Sequence, residues 1–223
     1  MRNFKQAFLI LIGTVFAISS ASAGTDLTAT NSTSGQTLTP APQPPGIWQG
    51  EIGDGFRSSV QTLNLEAGAT AGFAAFGGEQ RHDLALASLS YGHMFGGVVA
   101  EDHWYRGNWE IRGELFGGTQ FSPESNWLIG LTPHLRYDFA TGTRWVPYAD
   151  AGAGVTATGI GAPDLGGTSE FNLQANVGTH WFVRDNIALT CEVGLLHVSS
   201  AGIHNPNLGL NCVKGMVGVT WFF

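Results

Sequence analysis

The sequence predicts an all-β protein, an eight-stranded antiparallel transmembrane β-barrel. Three observations carry that expectation. Apolar and polar residues alternate with period two over eight successive stretches beyond about residue 60. The connections between those stretches alternate between short and longer, like the turns and loops at the two ends of a membrane barrel. The last stretch runs in alternation through Val217, Val219 and Trp221 to a terminal aromatic, Phe223.

The chain opens with material that is not part of the fold. Arg2 and Lys5 precede an apolar run over residues 7–18, and Ala21, Ser22 and Ala23 form an A-x-A cleavage site. Residues 1–23 therefore read as a secretory signal peptide, with Gly24 as the mature N-terminus. Residues 24–55 are rich in Thr, Ser, Gln, Gly and Pro. They read as a flexible periplasmic lead, because such a composition buries too little apolar surface to order itself. Residues 56–223 form the barrel domain. No later stretch has the roughly 20 consecutive apolar residues of a membrane helix.

The strands follow in order. Over 60–75, Leu63, Leu65 and Phe73 oppose Asn64 and Glu66. The run 82–95 is strand-like but leaves its facing open. Over 108–115, Trp109, Ile111 and Leu115 oppose Glu110, Arg112 and Glu114. Over 126–139, Trp127, Ile129, Leu131, Leu135 and Tyr137 oppose Asn126, His134, Arg136 and Asp138. In 144–157 the polar face carries Tyr148 and Asp150. Over 171–182, Phe171, Leu173 and Val177 oppose Asn172, Gln174, Asn176 and His180. The runs 186–199 and 211–223 complete the set.

A water-soluble sandwich turns its apolar face inward. Here the polar faces carry charges of both signs, which suits the narrow lumen of an eight-stranded barrel. The pairs Glu110 with Glu114, and Asp138 with Asp150, have the composition of acid–base pairs. A small lumen needs the same charges for mutual neutralisation, so they read as structural. His82, His93, His103 and His204 lack metal-ligand spacing, and no metal site is expected. A net charge of −7 argues against nucleic acid as a partner. Two cysteines do not make a disulfide framework. Strand parity turns Cys191 outward and Cys212 inward.

The candidate chemistry lies at the end of the seventh strand. Ile187, Leu189, Cys191, Val193 and Leu195 form its apolar, lipid-side face, and His197 and Ser199 continue that face. Residues i and i+2 of a strand point the same way, about 6.5–7 Å apart, within reach of an imidazole and a hydroxyl. A Ser beside a His base is a nucleophile arrangement. Asn211 on the returning strand has the outward parity too, which groups Ser199, His197 and Asn211 on the outer surface near the far rim.

His197, Val198, Ser199, Ser200, Ala201, Gly202 and Ile203, followed by Pro206, Asn207 and Gly209, resemble the lipid A 3-O-deacylases of the PagL type. Residues 181–190 are similar to that family as well. The resemblance covers 170–223, and the remainder only as an eight-stranded barrel. It implies an integral protein of the bacterial outer membrane, with both termini in the periplasm. Its activity is hydrolysis of the 3-linked hydroxyacyl ester of lipid A, in lipopolysaccharide of the outer leaflet. Ser199 is then the nucleophile, His197 the general base, and Asn211 occupies the position of the orienting acid. Backbone N–H groups of Ser200, Ala201 and Gly202 form the oxyanion hole, and Asn207 matches a motif Asn. No cofactor is implied. Phe223 is the signal read by the outer-membrane assembly machinery, and a homodimer is left open.

The chain departs from the family twice. Ser200 replaces an Asn, and Asn211 replaces a carboxylate. An amide stabilises an imidazolium less well and can select the wrong tautomer, a change that costs about 10⁴ in rate in the serine-protease triad. On residues alone, a nearby acid such as Asp164 is a candidate substitute, and Asn211→Glu is expected to raise activity. The alternative function is a non-catalytic structural or adhesive barrel, which the short, small-residue-rich loops do not favour. A lipocalin-like carrier would need an apolar lumen.

Overall fold

The computed structural model describes residues 46–75 and 80–223. Residues 1–23, expected to be a signal peptide, and residues 24–45 of the expected lead lie outside the described residues. Eight antiparallel strands close into one barrel in sequence order. They are β1 (Gln61–Gly72), β2 (Asp83–Val99), β3 (Gly107–Ser122), β4 (Asn126–Phe139), β5 (Trp145–Thr158), β6 (Ser169–Arg184), β7 (Ile187–Ser199) and β8 (Leu210–Phe222). Pairing of β1 with β8 closes the barrel, with Leu63 opposite Trp221.

The period-two pattern sets the facing. Leu65, Leu89, Ile111, Leu115, Leu131, Leu135, Leu173, Val177, Val193 and Val217 are all exposed, Val177 and Val217 by 62% each. A continuous outer apolar band of this kind matches the lipid-facing belt of membrane barrels. Trp109, Tyr137, Trp145 and Trp181 gather toward the end where the chain enters and leaves the barrel, and Trp145 stacks on Trp181 at 6.2 Å.

The interior is layered. Its middle is a charge network. Arg136 Nη2 lies 2.7 Å from Asp150 Oδ2 and 3.2 Å from Glu192 Oε2. Its guanidinium carbon sits 3.6 Å from the centre of the Tyr148 ring. His134 bridges Asp150 at 3.1 Å and Glu114 at 3.2 Å. Lys214 Nζ reaches Glu192 at 3.0 Å and Gln174 Oε1 at 2.6 Å. The hydroxyl of Thr62 bonds Glu110. Of the acids that resembled acid–base couples, Glu110, Glu114 and Asp150 are thus members of this buried lattice, and Asp138 is buried with one carboxylate oxygen 3.6 Å from His180 Nε2.

Both ends of the lumen are apolar. Toward the rim that carries Ser199, Leu84, Leu86, Phe116, Leu128, Ile160, Leu165, Leu196, Val198, Leu210 and Met216 form one cluster. This explains the open facing of 82–95. The inward residues of β2 are Leu84, Leu86, Ser88, Ser90, Gly92 and Met94, with apolar side chains where they enter a plug and polar ones only between.

The opposite end is closed by residues 46–60, which corrects the flexible lead over its last part, 46–55. Trp48 pairs with Phe56 across a bridge and stacks on it at 4.1 Å. Phe56 lies parallel to Phe222 at 5.0 Å. The Asn108 side chain accepts from the Phe56 N–H and donates to its carbonyl, both at 2.9 Å. Trp48 Nε1 donates to the Asp185 carbonyl at 3.1 Å. Ile47, Trp48, Ile52 and Phe56 order this polar segment because the inward Met94, Val146 and Phe182 offer them an apolar seat. Phe56→Ala is expected to destabilise the barrel by about 3 kcal/mol, read as a lower urea midpoint in detergent.

Candidate active site

The strand ladder places the three outward groups together. His197 pairs with Asn211 across β7 and β8, and residues directly opposite in an antiparallel pair share a face. On the other side, His197 faces Leu173 and Ser199 faces Phe171 of β6. His197 Nε2 is 2.9 Å from Ser199 Oγ, and His197 Nδ1 is 2.8 Å from Asn211 Oδ1. Ser199, His197 and Asn211 thus form a continuous hydrogen-bonded line on the outer wall at the rim.

Asn211 keeps outward parity yet is only 5% exposed. The chain leaving β1 covers it. The Phe73 N–H donates to the Asn211 carbonyl at 2.9 Å, and the Asn211 side-chain Nδ2 donates to the Ala75 carbonyl at 2.9 Å. Sequence reasoning did not find Ala75. Its contribution is a backbone carbonyl, which no side-chain pattern marks.

The turn after Ser199 is built on Ser200 and Asn207. Asn207 Oδ1 accepts from the Ser200 N–H at 2.8 Å and from Ser200 Oγ at 2.9 Å, and Ser200 Oγ accepts from the His204 N–H at 3.1 Å. This corrects one expectation. The Ser200 N–H is already engaged, so it is not an open oxyanion donor. Ala201 and Gly202 follow with φ of 54° and 86°. They are the central residues of a tight turn closed by the Ile203 N–H, which donates to the Ser200 carbonyl at 3.1 Å.

Gly209 begins the return. Its φ is 82°, and a Cβ there would stand 2.9 Å from His197 Cε1. A side chain at 209 would therefore push the imidazole off the Ser199 hydroxyl. Gly209→Ala is expected to lower the rate of ester hydrolysis by at least ~10-fold, since small misplacements of a catalytic group cost up to about 10². An unchanged heat-modifiable mobility on gels would separate this from misfolding.

Asp164 does not replace the missing carboxylate at His197 Nδ1, where Asn211 sits. Its Oδ2 faces His82 Nε2 at 2.7 Å and accepts from the Gln80 N–H at 3.1 Å. His82 Nδ1 in turn lies 2.8 Å from Gln120 Oε1. The Asp164 carbonyl accepts from the N–H groups of Leu208 and Gly209 at 3.0 and 3.1 Å. This buried pair ties the β5–β6 connection to the loop that carries Gly209. Among the described residues, no group of His, Cys, Asp and Glu side chains has a metal-binding arrangement. Cys191 and Cys212 are free thiols, one exposed and one buried.

Fold and site together define a class: a closed eight-stranded barrel of the outer-membrane kind, with a Ser–His–Asn line on its outer wall. The chain belongs to the lipid A 3-O-deacylase (PagL) family, whose model matches residues 85–220. Among solved structures, the outer membrane enzyme PagL is similar at 19% identity and a TM-score of 0.52, over 70% of this chain and 97% of that one. Neisserial surface protein A is similar at 18% identity and a TM-score of 0.49, over 74% and 98%. At 19% identity the likeness to PagL bears on the fold alone. No curated protein matches the chain by sequence.

Proposed function

We propose that this chain is an outer-membrane esterase that hydrolyses the 3-linked acyl ester of lipid A, with Ser199 as nucleophile and His197 as general base. The observation that carries the reading is the 2.9 Å contact between Ser199 Oγ and His197 Nε2 on the apolar outer wall. A nucleophile there stands beside exposed Phe171, Leu173 and Leu195. Those side chains would accompany an acyl chain, while the rim would meet the sugar that bears it. The barrel lies in the outer membrane, with the 46–60 plug on the periplasmic side and Ser199 in the outer leaflet.

In the reaction, Ser199 Oγ attacks the ester carbonyl carbon as His197 Nε2 takes the hydroxyl proton. The carbonyl oxygen becomes an oxyanion facing the N–H groups of Ala201 and Gly202, where preorganised donors stabilise developing charge. Collapse breaks the bond between the acyl carbon and the sugar 3-oxygen, and His197 returns its proton to that oxygen. Water then attacks the acyl-Ser199 ester, again losing a proton to His197; the acyl–Oγ bond breaks, His197 returns that proton to Ser199 Oγ, and the fatty acid leaves. The chemistry needs no cofactor.

Expression in a Gram-negative host tests the reading. Lipid A mass spectra should lose one hydroxyacyl chain relative to cells carrying an empty vector. An unchanged spectrum, with the barrel folded in the outer membrane, would contradict it.

A further inference from the structure

An amide in place of a triad carboxylate is harmful when it turns its NH₂ toward the histidine. It then forces the base nitrogen to carry the proton, the effect behind the ~10⁴-fold loss in the serine-protease triad. An amide that presents its oxygen does the reverse, as the Asn of Cys-His-Asn sites does. Which of these holds is decided by the second partner of the amide. Oxygen and nitrogen of an Asn are told apart by what they face.

Here that second partner is unambiguous. A backbone carbonyl can only accept, and the Ala75 carbonyl stands 2.9 Å from Asn211 Nδ2. The Asn211 oxygen is left to face His197 Nδ1 at 2.8 Å. Nδ1 must then donate, and the neutral ring keeps its lone pair on Nε2, 2.9 Å from Ser199 Oγ. Asn211 is 5% exposed, so solvent does not compete for its NH₂. The Phe73 N–H bond to the Asn211 carbonyl holds the chain after β1 in register with β8, which keeps the Ala75 carbonyl in place.

We infer that the Ala75 carbonyl and Asn211 are a positioning pair for this hydrolytic site: the carbonyl locks the Asn211 amide so that its oxygen selects the Nδ1–H tautomer of His197. The inference rests on the Ser199–His197 reading of the site. It gives the amide a function of its own and runs against the expectation that Asn211→Glu would raise activity. In Asn211→Asp, one atom changes from a donor to an acceptor. The second carboxylate oxygen then opposes the Ala75 carbonyl, a buried acceptor–acceptor contact that pushes the side chain off His197.

Two measurements test the pair. The first needs no substrate. In ¹⁵N-labelled wild type in detergent micelles, at a pH where His197 is neutral, its ring nitrogen shifts should report the Nδ1–H form. An Nε2–H ring would overturn the inference. The second is kinetic. Asn211→Asp should lower kcat for lipid A hydrolysis by at least tenfold at pH 8 with KM little changed, and activity should shift toward acid, where a protonated Asp again donates to Ala75. An Asp variant as fast as wild type at pH 8 would equally overturn it. A wild type inert on lipid A would sink the functional reading alone, because the tautomer is read independently of it.

Discussion

Ser199→Ala should abolish lipid A deacylation, lowering the rate by at least ~10³-fold while leaving the barrel folded. The hydroxyl is the only part of the line that forms a bond to substrate, and loss of a nucleophile from such a unit removes nearly all the chemistry the unit supplies. Ser199 is half-exposed at the end of β7, so its loss opens no cavity. Substrate binding should survive, since Phe171, Leu173 and Leu195 are untouched. The check is the rate of fatty-acid release by purified protein, beside heat-modifiable gel mobility. A variant that retains a tenth of the wild-type rate would assign the nucleophile elsewhere.

The largest effect on stability is expected from Arg136→Met. Arg136 is fully buried in mid-lumen and serves Asp150 through both Nε, at 3.0 Å, and Nη2, at 2.7 Å. It also bonds Glu192 at 3.2 Å and lies over Tyr148. Met restores much of the volume and none of the charge. It leaves Asp150 to Arg112 at 3.3 Å and Glu192 to Lys214 at 3.0 Å, so two cations remain where three stood. Removing one partner of a buried ion pair costs about 3–5 kcal/mol, because the abandoned charge stays buried. The urea midpoint in detergent should fall accordingly, or the protein should fail to assemble. A loss under ~1 kcal/mol would mean that the lumen is hydrated and the network dispensable.

Much of this molecule is legible in its sequence because strand parity is a strict code. Eight alternating stretches foretell eight strands, and the odd numbering shared by His197, Ser199, Asn211 and Phe223 foretells one outward face. Parity also turns Cys191 out and Cys212 in. Where the code breaks, two physical causes recur. Apolar residues that cap the lumen read like lipid-facing ones, which leaves β2 without a clear facing at Leu84, Leu86 and Met94. Gly117 and Gly118 interrupt the pattern of β3, which extends to Ser122 rather than ending near 115.

The missed features share another cause: they depend on a partner distant in sequence. Residues 46–55 look like linker until Phe56 meets Phe222. Asp164 looks like a spare acid for the triad until it meets His82. The Ala75 carbonyl leaves no trace in the sequence, yet it determines what Asn211 can do. The Ser–His line could be read from one strand, whereas the setting that makes an amide workable in it needed the fold.

The most direct measurement is the product of purified wild-type protein acting on lipid A in mixed micelles made up in H₂¹⁸O. The account predicts free hydroxy fatty acid carrying ¹⁸O in its carboxyl, and lipid A lacking the 3-linked chain with an unlabelled 3-oxygen. Intact lipid A after prolonged incubation with folded protein, or loss of a chain from another position, would contradict it.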